Sequence, residues 1–313
     1  MLKGLTKWMA VAAASLMMMC LASCSALSGG YAPAKTYQTV TTSGLTLDIR
    51  DDMKLDNSQQ NADGEAIEAY ACDYYGVCVT AVPSAELKFN GVNDTKSMLS
   101  KVATDAGLVD KAELRTRNDI TCLSYDNTVE DKVFHYRSYV RDLGYHYYLI
   151  EFFTPTEYES SYLDEYEKIV GSARLSEEPP ATADIVADGV KLTVDGGVMA
   201  DAEDDTVFTT EKYMVMVTKQ DINVSADQFC RALLQSNDNP FVDAGGNRVT
   251  AFDTLEDSKM DWFVSCDDGL YMYHYIQNLD GRIVYICFMT GAEADDALRT
   301  QFEEIVRNAS LSA

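Results

Sequence analysis

Apolar positions along this chain recur mostly with the spacing of β-strands. In segment 145–153, tyrosine, leucine, isoleucine and phenylalanine fall on both faces of one extended run. A strand that is apolar on both faces needs cover on both sides, which favours a sheet with other layers packed against it. The stretch 141–144, which ends in Gly144, predicts a hairpin turn and therefore an antiparallel neighbour.

Three other segments show the spacing of amphipathic helices. Segments 94–106 and 225–236 each carry apolar residues at i, i+1, i+4 and i+5, and segment 157–172 predicts a third helix. Ser225 and Gln228 form an S-x-x-Q capping box, which is typical of a helix start. We expect these apolar stripes to face the core rather than a partner.

The same succession of patterns occurs twice. Three pairs of segments match in the same order: 75–80 with 213–218, 134–154 with 271–291, and 162–176 with 298–312. An ordered series of matches predicts two tandem copies of one domain, at 37–177 and 184–313, joined by a linker at 178–183. The second copy has extra residues, which the gapless match places between 247 and 271, as a candidate specialised surface.

Each copy reads as strands, a helix, several meandering strands and a closing helix. This order predicts an α+β fold in which an antiparallel β-sheet is flanked by helices. The order, together with the endings IVGS at 169–172 and IVRNA at 305–309, resembles the PsbP-type fold of extrinsic photosystem subunits and their bacterial relatives. The resemblance implies an α/β/α sandwich that binds protein partners rather than catalysing a reaction.

The first thirty residues follow a different pattern. Lys3 and Lys7 precede an apolar run of about 14 residues at 8–21, which is shorter than the roughly 20 residues of a membrane-spanning helix. A basic start followed by such a run is typical of a secretory signal peptide. An ordinary N-terminal anchor helix is the alternative.

The end of this run resembles the lipobox of bacterial lipoproteins. Leu21-Ala22-Ser23-Cys24 supplies an aliphatic residue, two small residues and a cysteine. The resemblance implies a signal peptide at 1–23, a diacylglyceryl group on Cys24, and a contact with the lipid bilayer through that group. Two acyl chains suffice for stable anchoring. Residues 24–36 are then expected to form a flexible tether.

The net charge of the chain restricts the kinds of partner that it can bind. The formal net charge is −25, and removal of Lys3 and Lys7 with the signal peptide lowers it to −27. A chain this acidic repels nucleic acid, which requires clustered lysine and arginine. It gains no electrostatic attraction to anionic lipid either, so that membrane binding would depend on the acyl chains.

Six cysteines remain after residue 24: Cys72, Cys78, Cys122, Cys230, Cys266 and Cys287. They have no regular spacing and lie among apolar neighbours, which favours free, buried thiols. A pair between Cys72 and Cys78 stays open.

Motifs for catalysis or metal binding are absent from the sequence. The three histidines, His135, His146 and His274, form no H-E-x-x-H motif, although His135 and His146 could approach each other on the arms of one predicted hairpin. There is no C-x-x-C and no G-x-S-x-G. We therefore predict no catalytic residue, no metal and no cofactor, while chance carboxylate pairs leave a hydrolase as an alternative.

One aromatic row remains as a candidate binding surface. Tyr271, Tyr273 and Tyr275 lie on one side of a strand, and the repeat matches them to Phe134 and Tyr136. The rings either belong to the core or form an exposed stacking face. The sequence thus predicts a non-catalytic lipoprotein on the outer side of the cell membrane that binds an envelope protein. The non-catalytic alternative is a module that binds a glycan or the cell wall.

Overall fold

The computed structural model describes residues 31–56, 68–129, 132–255 and 260–312. The chain forms two compact units, one made of residues 31–83 and 92–178 and the other of residues 84–91 and 179–312. The predicted signal peptide, residues 1–23, and the predicted lipidation site Cys24 lie outside the described residues.

The elements up to residue 175 are, in chain order, β1 (Tyr37–Thr42), β2 (Leu45–Arg50), β3 (Lys54–Asp56), β4 (Ala69–Ala71), β5 (Gly76–Pro83), α1 (Ala85–Phe89), α2 (Thr95–Asp105), β6 (Glu113–Arg117), β7 (Ile120–Val129), β8 (Lys132–Leu143), β9 (His146–Pro155), α3 (Leu163–Ser172) and β10 (Arg174–Leu175).

The elements that follow are β11 (Thr182–Ala187), β12 (Val190–Asp195), β13 (Met199–Ala200), β14 (Val207–Thr209), β15 (Met214–Gln220), α4 (Ala226–Gln235), β16 (Asp253–Leu255), β17 (Met260–Asp267), β18 (Leu270–Leu279), β19 (Arg282–Thr290), α5 (Asp296–Arg307) and β20 (Ser310–Leu311).

The two units have the same sheet topology. The first contains a seven-stranded sheet in the order β3-β4-β5-β9-β8-β7-β6, and the second contains β13-β14-β15-β19-β18-β17-β16. Each also has a three-stranded sheet, β1-β2-β10 or β11-β12-β20. All of these pairings are antiparallel. The repeated order agrees with the duplication that the sequence predicts.

Strands dominate the described chain, so the expected α+β class fits only roughly. In each unit one face of the large sheet meets the small sheet and the closing helix, α3 or α5. The other face is covered by α2, which contacts β7 and β8, or by α4, which contacts β17 and β18. This double cover explains why strand β9 is apolar on both faces.

The helices agree closely with their sequence signals. Asp94 and Ser225 cap α2 and α4, and both form reciprocal capping boxes. The closing helix of the first unit is shorter than the expected 157–172, because α3 begins at Leu163 after a short 3₁₀ turn at Thr156–Tyr158.

The linker and the insertion differ from expectation. Strand β11 begins at Thr182, inside the predicted linker 178–183, because Thr182 already pairs with Asp195. The extra residues of the second unit lie mainly at 236–252, between α4 and β16, so most of them precede the expected range 247–271. A loop gains length there without disturbing the strand pairing on either side.

The six cysteines after Cys24 are all free, and Cys72 and Cys78 do not pair. No helix among the described residues has the length and apolar character needed to cross a membrane.

Candidate functional site

The predicted aromatic surface is mostly core. Tyr273 and Tyr275 are each 1% exposed, Phe134 is 2% exposed and Tyr136 is fully buried. Tyr271 is only half-buried. Four of the five rings therefore cannot form the exposed stacking face, since their own unit covers them.

The match between the two tyrosine rows was also shifted by one residue. The pairs that close the equivalent hairpins are Leu143–His146 and Leu279–Arg282. Tyr271 therefore corresponds to His135, and Phe134 and Tyr136 lie on the opposite face of the sheet. A shift of one position exchanges the two faces of a strand, so the matched residues lie on different faces of their sheets.

Tyr271 and Tyr273 nevertheless reach a cleft in the second unit, which we call the tyrosine cleft. It has a volume of about 200 Å³ and is lined by Asp243, Ala244, Val264, Ser265, Cys266, Tyr271, Tyr273, Glu293 and Arg299. The extra loop contributes Asp243 and Ala244, and it is held on β17 because the Cys266 N–H donates to the Val242 carbonyl at 2.7 Å.

A larger opening lies beside the start of α5, and we call it the α5 groove. It has a volume of about 460 Å³ and is lined by Lys212, Thr290, Gly291, Ala292, Glu293, Ala294, Asp295, Ala297, Leu298 and Gln301. Glu293 lines both openings. Leu298 and three alanines supply apolar surface, and the polar side chains of the lining supply hydrogen-bonding groups.

The polar groups of the α5 groove are held in place by local bonds. Asp295 caps α5 by accepting from the Leu298 N–H at 2.8 Å. Asp195 accepts from Gln301 Nε2 at 2.5 Å and lies 3.0 Å from Lys212 Nζ. Among the side chains that line the groove, Glu293 and Asp295 outnumber Lys212, whose charge Asp195 also neutralises, so the groove favours a cationic ligand.

One cluster in the first unit resembles a metal site. His135 Nδ1 lies 2.7 Å from Asp126 Oδ1 and 3.0 Å from Glu159 Oε2. Ligands around a tetrahedral ion, each about 2.0 Å from it, lie roughly 3.3 Å apart. The shorter separations here are those of hydrogen bonds from an N–H group to carboxylates. The structure places His146 at the other end of the hairpin, opposite Leu143.

The same histidine also completes a serine–histidine–aspartate arrangement that the sequence did not reveal. Ser124 Oγ lies 2.9 Å from His135 Nε2, while Asp126 binds Nδ1. The geometry resembles a catalytic triad, but Ser124 is only 3% exposed. A substrate cannot reach its hydroxyl, so Ser124 and His135 form a buried polar pair to which Asp126 bonds from the surface.

A comparable network lies in the second unit. His274 binds Ser265 Oγ through Nε2 at 2.7 Å and Tyr285 Oη through Nδ1 at 2.6 Å. Burial lowers the pKa of His274 to about 3, so the ring is neutral near pH 7. Ser265 is 1% exposed, which again excludes access to the hydroxyl.

No sequence pattern predicts the two serine–histidine networks, the tyrosine cleft or the α5 groove. These features depend on strand register and on loops that are distant in sequence. In β7 and β8, Asp126 is the direct partner of His135, and Ser124 lies two positions away on the same face. A known register would have revealed this trio. The α5 groove has no sequence motif, since loop backbone and small side chains form much of it.

Neither a protein-family model nor a curated protein matches this sequence. Among solved structures, a protein of Bacteroides thetaiotaomicron is 12% identical over 49% of this chain and 53% of its own, with a TM-score of 0.28. The match therefore spans about half the length of that protein.

Two further solved structures are similar to parts of the chain. Cyanobacterial PsbP of Synechocystis is 14% identical over 47% of this chain and 97% of its own, with a TM-score of 0.24. The type VI secretion immunity protein TplEi of Pseudomonas aeruginosa is 9% identical over 88% and 98%, with a TM-score of 0.23. At these TM-scores the similarities assign neither a family nor a function.

Proposed function

We propose that this protein is a lipoprotein, anchored to the outer side of the cell membrane by an acylated Cys24, that binds a protein partner of the envelope and catalyses no reaction. The anchor proposal is supported by the lipobox at residues 21–24 and by the apolar run before it. We further propose that both units are PsbP-type domains, because each unit contains an antiparallel sheet that is covered on both faces.

The α5 groove is the main structural observation that supports the proposed binding of a protein partner. It is open, its volume is about 460 Å³, and it combines apolar surface with fixed hydrogen-bonding groups. Such a combination is typical of recognition sites, where apolar contacts supply affinity and a few polar groups fix orientation. The proposal involves no cofactor and no metal.

The rival proposals have less support among the described residues. A glycan-binding face requires exposed rings, but only Tyr271 of the five candidates is partly exposed. A hydrolase with a carboxylate site gains no support from the two serine–histidine contacts, because Ser124 and Ser265 are buried.

Cross-linking in intact cells, followed by recovery of the lipidated protein, tests this function. We expect a discrete protein to be recovered with it. Recovery of polysaccharide without protein would favour the glycan-binding alternative and contradict the proposal.

A further inference from the structure

In the first unit, a peptide segment occupies the site beside the start of the closing helix α3. Residues 31–34, with the sequence Tyr-Ala-Pro-Ala, run past the start of α3. The Ala32 N–H donates to Tyr162 Oη at 3.3 Å, and the Ala32 carbonyl accepts from Arg50 Nη1 at 2.7 Å. The Ala34 N–H donates to Glu165 Oε2 at 3.1 Å. Main-chain groups thus hold this segment, part of the expected flexible tether 24–36.

Strand pairing identifies the equivalent positions in the second unit. Arg50 pairs with Tyr37 at the start of the β1–β2 hairpin, and Asp195 pairs with Thr182 at the same place in β11–β12. The closing helices align through pairs that are buried in both units, namely Tyr166 with Phe302, Ile169 with Ile305 and Val170 with Val306.

These equivalences place the occupied site of the first unit on the α5 groove of the second. Tyr162 corresponds to Leu298, and Glu165 corresponds to Gln301; both Leu298 and Gln301 line the groove. Glu165 contacts Arg50 just as Gln301 contacts Asp195, which supports the assignment. The same location therefore holds a peptide segment in one unit and is open in the other.

The linker does not fill the second site. Residues 176–179 hold the position in sequence that 31–34 hold before β1. Ser176, however, donates both its N–H, at 3.0 Å, and its hydroxyl, at 2.9 Å, to the Gly44 carbonyl of the first unit. Described residues that line the groove come only from 212 and 290–301.

We propose that the α5 groove binds an extended peptide segment of an envelope protein, composed of small residues followed by a basic residue. This inference rests on the proposed partner-binding function and specifies its ligand class. Leu298 supplies apolar contact where Tyr162 supplies a hydroxyl, and the amide oxygen of Gln301 accepts from the peptide as Glu165 does from Ala34. Glu293 and Asp295, which line the groove, favour the basic residue, which corresponds to Lys35.

A labelled peptide with the sequence of residues 30–36, Gly-Tyr-Ala-Pro-Ala-Lys-Thr, serves as the probe. Fluorescence anisotropy measures its binding to the full chain and to two variants. Ala297→Trp introduces an indole at the groove, and Ala232→Trp places one on the exposed face of α4 as a matched control. We expect saturable binding that Ala297→Trp weakens at least tenfold and that Ala232→Trp leaves unchanged. Exchange of the peptide lysine for glutamate should weaken binding severalfold.

Other results would overturn the inference. Equal binding to both tryptophan variants, or no saturable binding, would show that the groove does not take such a peptide. Loss of binding in Glu165→Gln but not in Ala297→Trp would mean that the probe only replaces residues 31–34 in the first unit. A dimer that Ala297→Trp dissociates would identify a second copy as the occupant. If these tests fail while cells still yield a protein partner, the proposed function stands and only its ligand class is wrong.

Discussion

The carboxylate of Glu165 accepts a hydrogen bond from the backbone N–H of Ala34 at 3.1 Å. Glu165 is 9% exposed, and its other oxygen accepts from the Tyr75 hydroxyl and lies 3.4 Å from Arg50 Nη1. One buried side chain therefore connects the core of the first unit to the segment that leads back towards the proposed anchor.

Glu165→Gln should loosen that segment. The amide keeps the shape of the side chain but loses the charge that strengthens its hydrogen bonds, so the free energy of unfolding of the first unit should fall by about 1–3 kcal/mol. Hydrogen exchange at the Ala34 amide should accelerate. Unchanged protection of that amide would show that Glu165 does not hold the segment.

Gly76→Ala should strongly destabilise the first unit. A Cβ atom at Gly76 would lie 2.0 Å from Cζ of Phe153 on the paired strand. Such a clash forces the ring out of its place, and overpacking of this kind costs about 1–3 kcal/mol or more. Thermal unfolding measures the effect, and adding Phe153→Leu should partly restore stability.

Gly171→Ala provides the matched control for that substitution. Gly171 lies in α3, and a Cβ atom there meets no neighbour within 4 Å. Alanine should stabilise the helix by roughly 0.5–1 kcal/mol. If both alanine variants shifted the unfolding temperature alike, the packing of Phe153 over Gly76 would be contradicted.

The second unit should lose stability in mild acid because of His274. Its pKa is about 3 in the folded state against an ordinary value of 6.5, so the unfolded chain binds the additional proton between these values. The stabilisation is complete above about pH 6.5 and declines as the pH falls towards 3, by about 1.4 kcal/mol per unit. Denaturant unfolding at about pH 7.5 and about pH 5.5 measures it. In His274→Gln the difference between the two pH values should shrink by about 1.4 kcal/mol; an identical pH dependence would show that His274 is not buried as a neutral ring.

Cys24→Ala should release the protein from the membrane fraction, because acylation needs the thiol. Cys20→Ala is the matched control, since Cys20 lies within the proposed signal peptide and would be removed with it. Membrane fractionation and labelling with a radioactive fatty acid measure both variants. Retention of Cys24→Ala in the membrane, or release of Cys20→Ala, would contradict the proposed anchor.

Local patterns in this sequence predicted local structure well. The capping box at Ser225 and the apolar stripes of segments 94–106 and 225–236 predict α2 and α4 almost to the residue, because capping and amphipathic spacing act within one or two turns. The order of matched segments likewise predicted the repeated strand order, since each strand pairs mostly with its neighbours in sequence.

Features that depend on register or on distant segments could not be predicted in the same way. The hairpin of β18 and β19 closes at Asp280–Gly281, which both have positive φ values, whereas Gly144 begins the equivalent turn. This offset exchanged the faces of the matched tyrosines. The contacts of residues 31–34 with Tyr162 and Glu165 span about 130 positions, so no sequence window contains both partners.

Partner binding by the second unit depends on the α5 groove. The most direct measurement is photo-cross-linking in intact cells, with the photoreactive residue p-benzoyl-phenylalanine placed at position 212, which lines the groove with an exposed side chain, or at position 232 on α4. We expect a discrete protein adduct from position 212 and none from position 232. No protein adduct from position 212, or the same adduct from both positions, would contradict the proposal.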